Sequence, residues 1–184
     1  MIREEAIILL NDRVQNKNLV KHCIAAEACM RALAEYFDED KEKWGITGLL
    51  HDIDYEETKK EPAKHSLVGA EMLHKLGTDK EIVEAVKTHN EIHEIPPQSK
   101  MAKAIYCVDP LTGLIVAATL VLPSKKIADL TVENVLNRFS EKGFAKGANR
   151  EIIAKCHGML DLSLENFVKT CLEAMKKISS ELGL

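Results

Sequence analysis

His51 and Asp52 stand side by side directly after an apolar helical run, and such a pair could bind a divalent metal ion. Imidazole nitrogens and carboxylate oxygens are both ligands of borderline divalent metals. Residues of the same two types occur elsewhere in the chain at His22, His65, His89 and Asp109. The set indicates a metal-dependent hydrolase, because a bound ion can turn water into a nucleophile near neutral pH.

The further histidines and the aspartate fall on or beside the apolar faces of predicted helices. Side chains three, four, seven or eleven positions apart share one face of a helix. His22 shares a face with Ala26 and Leu33, and Asp109 shares one with Ile105. Burying an unpaired imidazole or carboxylate is costly, and metal coordination is one way to offset that cost.

Each of these residues, taken alone, has a simpler interpretation. A single histidine on a helix is more often a core or surface residue than a ligand, and we leave His74 and His157 in that class. An aspartate before a proline, as at Asp109, is more often a turn or cap residue. His93 competes as a ligand because it follows His89 by four residues, a spacing at which two histidines can chelate one ion. A predicted helix end close to His93 argues against it.

The elements that must position these side chains are predicted to be helices. Apolar residues make up 46% of the chain, charged residues 29% and aromatic residues 4%, a mix that favours helices over sheets. Apolar residues recur every three to four positions, and no two-residue alternation is found. With 184 residues, the chain is predicted to be all-α, a single-domain helical bundle over 1–184.

The predicted helices are separated by short polar or proline-containing links. They cover 2–14, 18–37, 41–51, 62–76, 79–90, a helix from about residue 99, 131–139, 149–157 and 164–181. A polar loop is predicted for 55–61. Pro110, directly after Asp109, is predicted to interrupt and kink the helix that carries this aspartate.

Composition also bounds the partners and the compartment. The net charge of −4 predicts that nucleic-acid polymers are not partners. The longest apolar run, 111–122, is shorter than the about 20 residues that a membrane span needs, so no membrane partner is predicted. Five widely spaced cysteines without a CxxC pair predict free thiols and a cytoplasmic location. The chain is predicted to be a monomer or a homodimer.

Three stretches resemble the HD-domain metal-dependent phosphohydrolase superfamily. They are 48–54 (GLLHDID), 64–70 (KHSLVGA) and 82–91 (IVEAVKTHNE). The resemblance covers 18–120, which it marks as a metal-binding core. Residues 121–184 are left as a C-terminal helical extension. The resemblance implies a helical bundle of the HD-domain type and hydrolysis of phosphate esters.

The resemblance also implies which residues hold metal. A first ion would be bound by His22, His51, Asp52 and Asp109. Asp52 would bridge to a second ion, with His65 and His89 as its other ligands. The chain departs from some binuclear members at Asn90, where they have a second histidine. It departs from many members at Asp54, which becomes a possible proton acceptor or a group that orients a ligand. Asp52 and Asp54 are therefore the candidate catalytic residues.

The residue types favour a transition metal. Four histidines and two carboxylates suit one or two ions of Mn, Fe, Co, Ni or Zn, whereas Mg²⁺ prefers oxygen ligands and water. The implied reaction is attack of metal-bound hydroxide on phosphorus in a small nucleotide-like phosphomonoester or phosphodiester. Two alternatives stay open: a non-catalytic metal- or nucleotide-binding sensor module, and a di-iron oxygenase.

A locally basic segment, 123–155, could supply cations for a phosphorylated small molecule. It holds seven basic and four acidic residues. Lys146 and Arg150 are candidate substrate-binding residues around the loop 143–147, and an arginine can bind phosphate with two parallel hydrogen bonds. Lys64, next to His65, is a further candidate. The alternative is that these charges form a solvated helical face.

Overall fold

The computed structural model describes all 184 residues, which form helices and turns without a β-strand. The α-helices are Arg3–Arg13 (α1), Lys17–Phe37 (α2), Lys41–Leu50 (α3), Tyr55–Thr58 (α4), Leu67–Lys75 (α5), Lys80–Thr88 (α6), Lys100–Leu120 (α7), Val132–Ser140 (α8), Arg150–Ala154 (α9), Cys156–Leu160 (α10), Leu164–Lys177 (α11) and Ser179–Leu182 (α12). Short 3₁₀ turns lie at Pro62–Lys64, Glu91–His93 and Ile127–Asp129. The predicted all-α fold is confirmed.

The middle of the bundle is built from α2, α3 and α7. Every residue from Trp44 to Leu50 in α3 is buried, which explains why this helix lacks a polar face. One connected cluster of 46 buried apolar residues reaches from Ala6 in α1 to Leu182 in α12. The C-terminal helices therefore pack on the same core as the helices that carry the histidines.

The close approach of α2 and α3 depends on Gly48. A Cβ at this position would lie 2.7 Å from backbone atoms of Ala26 and Glu27. A larger residue would push the two helices apart, because backbone atoms cannot yield as a flexible side chain can. The glycine thus allows the rings of His22 and His51 to lie with their centroids 5.0 Å apart.

Pro110 lies inside α7 without ending it, so the predicted interruption is wrong. Proline removes one backbone donor and leaves the carbonyl of Tyr106 without its usual helical partner. Burial holds the helix on both sides of this gap, since Val108 and Leu111 are fully buried. Packing of α7 against the core therefore outweighs the tendency of proline to break a helix.

Because α7 continues through Pro110, its apolar stretch is longer than the run 111–122 considered in the sequence. An 18-residue window of α7 has a mean hydropathy of 1.4, so length and composition alone would allow it to cross a membrane. However, 67% of that window is buried inside the protein. The helix has the position of a central core helix, and such helices share this composition.

Gly113, one turn after Asp109, is an unusual residue for the middle of a long helix. Glycine in a helix interior costs about 1 kcal/mol relative to alanine. Gly113 is exposed, and a Cβ there would meet no atom within 4 Å. No contact inside the protein requires this glycine, which leaves the backbone of α7 uncovered.

Other boundaries differ locally from the predictions. The predicted loop 55–61 contains the one-turn helix α4, and the predicted helix 149–157 is divided into α9 and α10. The predicted helix 62–76 is divided by Ser66, which has a φ of 72° and cannot continue a right-handed helix. This strained, fully buried residue directly follows His65.

Candidate metal centre

The structure brings the six predicted metal ligands together at one end of the core. They are His22 in α2, His51 at the end of α3, Asp52 in the turn that follows, His65 before α5, His89 at the end of α6, and Asp109 in α7. His51, Asp52 and His89 are buried, and the other three border a cavity. Their assignment as ligands remains a prediction.

One side of Asp52 forms the first group. The Nε2 atom of His22 lies 3.1 Å from Oδ1 of Asp109 and 3.1 Å from Nε2 of His51. Oδ2 of Asp52 lies 3.5 Å from Nε2 of His22 and 3.6 Å from Nε2 of His51. Ligand atoms about 2.0–2.2 Å from one ion are roughly 3–3.5 Å from each other, so this spacing fits a single ion.

The other side of Asp52 forms the second group. Its Oδ1 atom lies 3.2 Å from Nε2 of His65 and 3.3 Å from Nε2 of His89. The two oxygens of one carboxylate thus face two separate pairs of histidines. This arrangement suits a bridging carboxylate in a two-metal site.

Two buried histidines are fixed by backbone carbonyls. His51 directs Nδ1 to the carbonyl of Gly48 at 2.8 Å, and His89 directs Nδ1 to the carbonyl of Val86 at 2.7 Å. A carbonyl can only accept, so each Nδ1 carries the hydrogen. The lone pair of Nε2 is left for a metal ion.

His65 is held by a side chain, the carboxylate of Asp54, rather than by a backbone carbonyl. Its Oδ1 atom lies 2.8 Å from Nδ1 of His65, and its Oδ2 atom accepts the backbone N–H of Gly69 at 2.8 Å. A Cβ on Gly69 would lie 3.2 Å from this carboxyl group, so the glycine makes room for the contact. Both oxygens of Asp54 are engaged away from the cavity, which fits a group that orients a ligand better than a proton acceptor.

Thr112 fixes His22 and was not among the predicted residues. Its Oγ1 atom lies 3.0 Å from Nδ1 of His22, and its hydroxyl donates to the carbonyl of Asp109 at 2.9 Å. Because the hydroxyl hydrogen is used, the oxygen accepts from His22. The sequence signal was present: Thr112 follows Asp109 by three residues and therefore lies on the same side of α7.

His93 and Asn90 contact the backbone of His65. Nε2 of His93 lies 2.7 Å from the carbonyl of His65, and the side-chain amide of Asn90 donates to the same oxygen at 3.3 Å. His93, the competing ligand, is therefore engaged with a backbone carbonyl. Asn90 therefore holds the loop that carries His65.

The acidic groups of the site perturb its histidines. Burial lowers the pKa of His51, but the carboxylates of Asp52 and Asp109 outweigh it and raise the pKa to about 9. Burial likewise lowers the pKa of His65, and Asp52 with Asp54 raise it to about 10. Burial raises the pKa of Asp52, yet the histidines around it hold the value well below its usual range. Without metal, protons balance the charge of the carboxylates.

His89 gives the clearest sign that a cation fits here. Its Nε2 atom is buried and makes no hydrogen bond, although Oδ1 of Asp52 lies only 3.3 Å away. A buried nitrogen without a hydrogen bond beside a carboxylate oxygen is satisfied when a positive charge lies between the two atoms. The residues therefore fit a divalent metal ion.

A cavity of about 520 Å³ opens on the site. Its lining includes four carboxylates but only one ammonium group. The carboxylates are Asp52, Glu56, Glu91 and Asp109. Lys59 and Tyr55, which also line the cavity, were not predicted, and the only signal for them was the polar loop after the His-Asp pair. Bound metal ions would offset this negative charge and favour the entry of a phosphate.

The three predicted substrate-binding residues have different positions. Lys146 lines a neighbouring cavity that also borders His22 and Asp109. Lys64 is exposed and forms an ion pair with Glu61 at 2.7 Å, outside the cavity.

Arg150 directs its guanidinium into its own loop, and its predicted contact with phosphate stays a prediction. Its guanidinium donates to the carbonyls of Ala145 and Ala148, each at 2.6 Å, and also to those of Phe144 and Arg138. These bonds close the loop between α8 and α9 and engage both terminal nitrogens of the guanidinium, while its Nε atom is buried without a partner. Part of the basic segment therefore stabilises its own loop.

Comparison with known proteins agrees with the site. The sequence matches the family model described as HD domain over residues 19–114. It is 30% identical to Ribonuclease Y of Nitratidesulfovibrio vulgaris over 74% of this chain, and 28% identical to Ribonuclease Y of Oleidesulfovibrio alaskensis over 74%. Ribonuclease Y of Geobacter sulfurreducens is 26% identical over 91%. The chain spans only 27% to 32% of the length of these relatives. No solved structure matches.

These relatives overturn the prediction that excluded nucleic-acid polymers, because proteins named as ribonucleases share the domain. Net charge was a poor guide, since it averages over the whole surface. Recognition of phosphate at a metal site depends on the few charges that face the cavity. A long basic tract is therefore not required.

The matched region contains all six predicted ligands. HD domains bind divalent metals, and the histidines and aspartates converge as such a site requires. The family and the relatives indicate a metal-dependent hydrolase. With the family model covering more than half of the sequence, this chain belongs to the HD domain family.

Proposed function

We propose that this chain hydrolyses phosphodiester bonds in ribonucleotide substrates, with divalent transition-metal ions of the Mn, Fe, Co, Ni or Zn group as cofactors. The observation that carries the proposal is Asp52, whose two oxygens face separate pairs of histidines. The name of the relatives supports the ribonucleotide class. When bound, the ions supply a water molecule of lowered pKa and neutralise charge on phosphoryl oxygens.

The residues of the chain have two tasks in this reaction. Asp52 and Asp109 contribute carboxylates, and the fixed histidines contribute Nε2 atoms, so that the ions are held without reorganisation. Lys59 is the ammonium group that faces the same cavity, and we assign it to a phosphoryl oxygen. Lys146 lines the adjoining cavity, and we assign it to a neighbouring phosphate.

The cavity also bears on substrate size. Its volume of about 520 Å³ can accept one nucleotide, and α4 and the segment after α6 contribute to its lining. A strand end or a flexible single strand can therefore bring one phosphodiester to the site. A small nucleotide would occupy the same space, so both belong in the test.

The test is hydrolysis of a short oligoribonucleotide and of a nucleotide panel by protein reloaded with each metal. Asp52→Asn is expected to lose more than about 10³-fold in kcat/KM, since loss of even one donor to the reacting group costs about 10²–10³-fold. Asp12→Asn, an exposed carboxylate in α1, is the matched control and is expected to be unchanged. Turnover that survives Asp52→Asn, or removal of metal, would reject the proposal.

The same experiment separates the alternative functions. Tight binding of nucleotides without product would indicate a sensor module. Activity that requires oxygen, on substrates without phosphate, would indicate a di-iron oxygenase. Preference for mononucleotides over oligoribonucleotides would restrict the substrate to small molecules.

A further inference from the structure

A second cavity lies beside the metal centre, between α2, α7 and the segment 182–184 at the end of α12. It has a volume of about 460 Å³ and shares Asn18 and His22 with the cavity of the metal centre. Half of its lining residues are apolar, among them Ala25, Val116 and Leu120. The proposed reaction at the metal centre does not use this space. The part of a substrate that extends from a bound phosphate past His22 would enter this second cavity.

Gly113 forms the ridge between this cavity and a third one. It lines the second cavity and also the cavity that contains Lys146, and both of these cavities border His22. No atom lies within 4 Å of the place where its Cβ would be. A flat group can therefore lie against the backbone of α7 here. Any larger residue would project into the space.

Each of the two cavities that meet at Gly113 has one lysine in its lining. Lys21, in α2, lines the second cavity, and Lys146 lines the third. Asp109, on the same turn of α7 as Gly113, lies between them and faces the metal centre. Apolar walls with an ammonium group in each cavity match a nucleoside between two phosphates.

We propose that this nucleoside groove, formed by Ala25, Gly113, Val116 and Leu120, binds the base and ribose next to the scissile phosphodiester of single-stranded RNA. Lys21 contacts the phosphate on its far side. The inference rests on the proposed function for the substrate class. It explains why an exposed glycine is found in the middle of α7 although no contact inside the protein requires it.

The test is binding of a fluorescein-labelled tetra-uridylate with phosphorothioate linkages, which slow hydrolysis, to protein loaded with Mn²⁺. Gly113→Leu is expected to raise the Kd about fivefold or more, because one stacked base contributes a factor of about 5 to 150. Gly158→Leu is the matched control, since Gly158 is also helical, exposed and free of neighbours within 4 Å. Its Kd is expected to stay within about twofold of the wild type.

Two further measurements keep the test independent of folding and of turnover. Gly113→Leu is expected to keep the metal content and the Tm of the wild type, because leucine is a better helix former and its Cβ would meet no neighbour. Lys21→Gln is expected to weaken binding by less than Gly113→Leu and to reduce the slope of log Kd against log salt by roughly 0.7.

The outcomes distinguish the groove from the reaction. An unchanged Kd for Gly113→Leu, or equal losses for Gly113→Leu and Gly158→Leu, would overturn the groove even if the wild type hydrolyses RNA. Selective loss of binding in Gly113→Leu, in a protein that hydrolyses no phosphodiester, would support the groove and reject the proposed function. An unchanged salt slope for Lys21→Gln would overturn the phosphate contact.

Discussion

The metal centre and the basic segment use their polar side chains in opposite ways. In the centre, each of four histidines has its Nδ1 engaged and its Nε2 directed toward Asp52 or Asp109. In the basic segment, Arg150 turns its guanidinium to backbone carbonyls, and Arg138 pairs with Glu141. Groups that converge from distant helices thus form the site, whereas groups clustered in sequence mainly stabilise their own loop.

The largest effect of a substitution is expected at His22, in the metal centre. His22→Gln removes one Nε2 from the first group and is expected to lower kcat/KM by about 10²–10³-fold, with loss of bound metal. His74→Gln alters an exposed histidine of α5 and is the control. Equal effects of the two variants, by kinetics and metal analysis, would remove the distinction between a converging histidine and a surface histidine.

Arg150 tests the other side of the contrast. Arg150→Gln is expected to lower the free energy of unfolding by about 2–3 kcal/mol, because several hydrogen bonds from a charged donor to carbonyls are lost. The kcat/KM of the folded protein is expected to change little. Denaturant titration and kinetics measure the two quantities, with Lys142→Gln, an exposed lysine of the same segment, as control. A large loss of kcat/KM with normal stability would return Arg150 to the substrate site.

A substitution at Thr112 tests whether the hydrogen bond that holds the His22 ring contributes to metal affinity. Thr112→Val removes the acceptor of His22 while keeping the shape of the side chain, and it is expected to weaken metal affinity about 10- to 100-fold. Thr112→Ser keeps the hydroxyl and is expected to restore most of the affinity. Competition with a chelator gives both values. Equal affinities for the valine and serine variants would show that packing alone fixes the ring.

The smallest expected effect is the pH dependence of the metal-free protein. The pKa values of His51 and His65, about 9 and about 10, lie above the usual 6.5, so their protonated rings stabilise the fold. This contribution is fully present below about pH 6.5 and is lost as pH rises through 9 to 10. The Tm with chelator is expected to fall by a few degrees between pH 7 and 10. A flat profile would contradict the charge balance described for the site.

The metal-loaded protein provides the comparison for this titration. Bound metal requires neutral imidazoles, so His51 and His65 have already released their protons at neutral pH. Its Tm is expected to change less than that of the metal-free protein over the same interval. Equal slopes for both forms would show that other groups determine the pH response.

The sequence predicted the all-α fold and the side chains that the structure brings together, because buried helix faces and residue types carry that information. It did not predict Thr112 as the partner of His22, since this hydrogen bond joins helices 90 positions apart in the chain. It also assigned Arg150 to phosphate, because an arginine that closes its own loop has the same sequence signal as one that binds an anion. The positive φ of Ser66 could not be predicted either, because serine does not indicate this conformation as glycine would.

The position of Asp52 has a consequence for how the protein responds to metal supply. Because one carboxylate faces both groups of histidines, two ions bound there would form one thermodynamic system. Whatever factor the first ion applied to the affinity of the second, the second would apply to the first. Occupancy would then follow a coupled isotherm, and the free metal concentration would set the fraction of molecules that carry both ions.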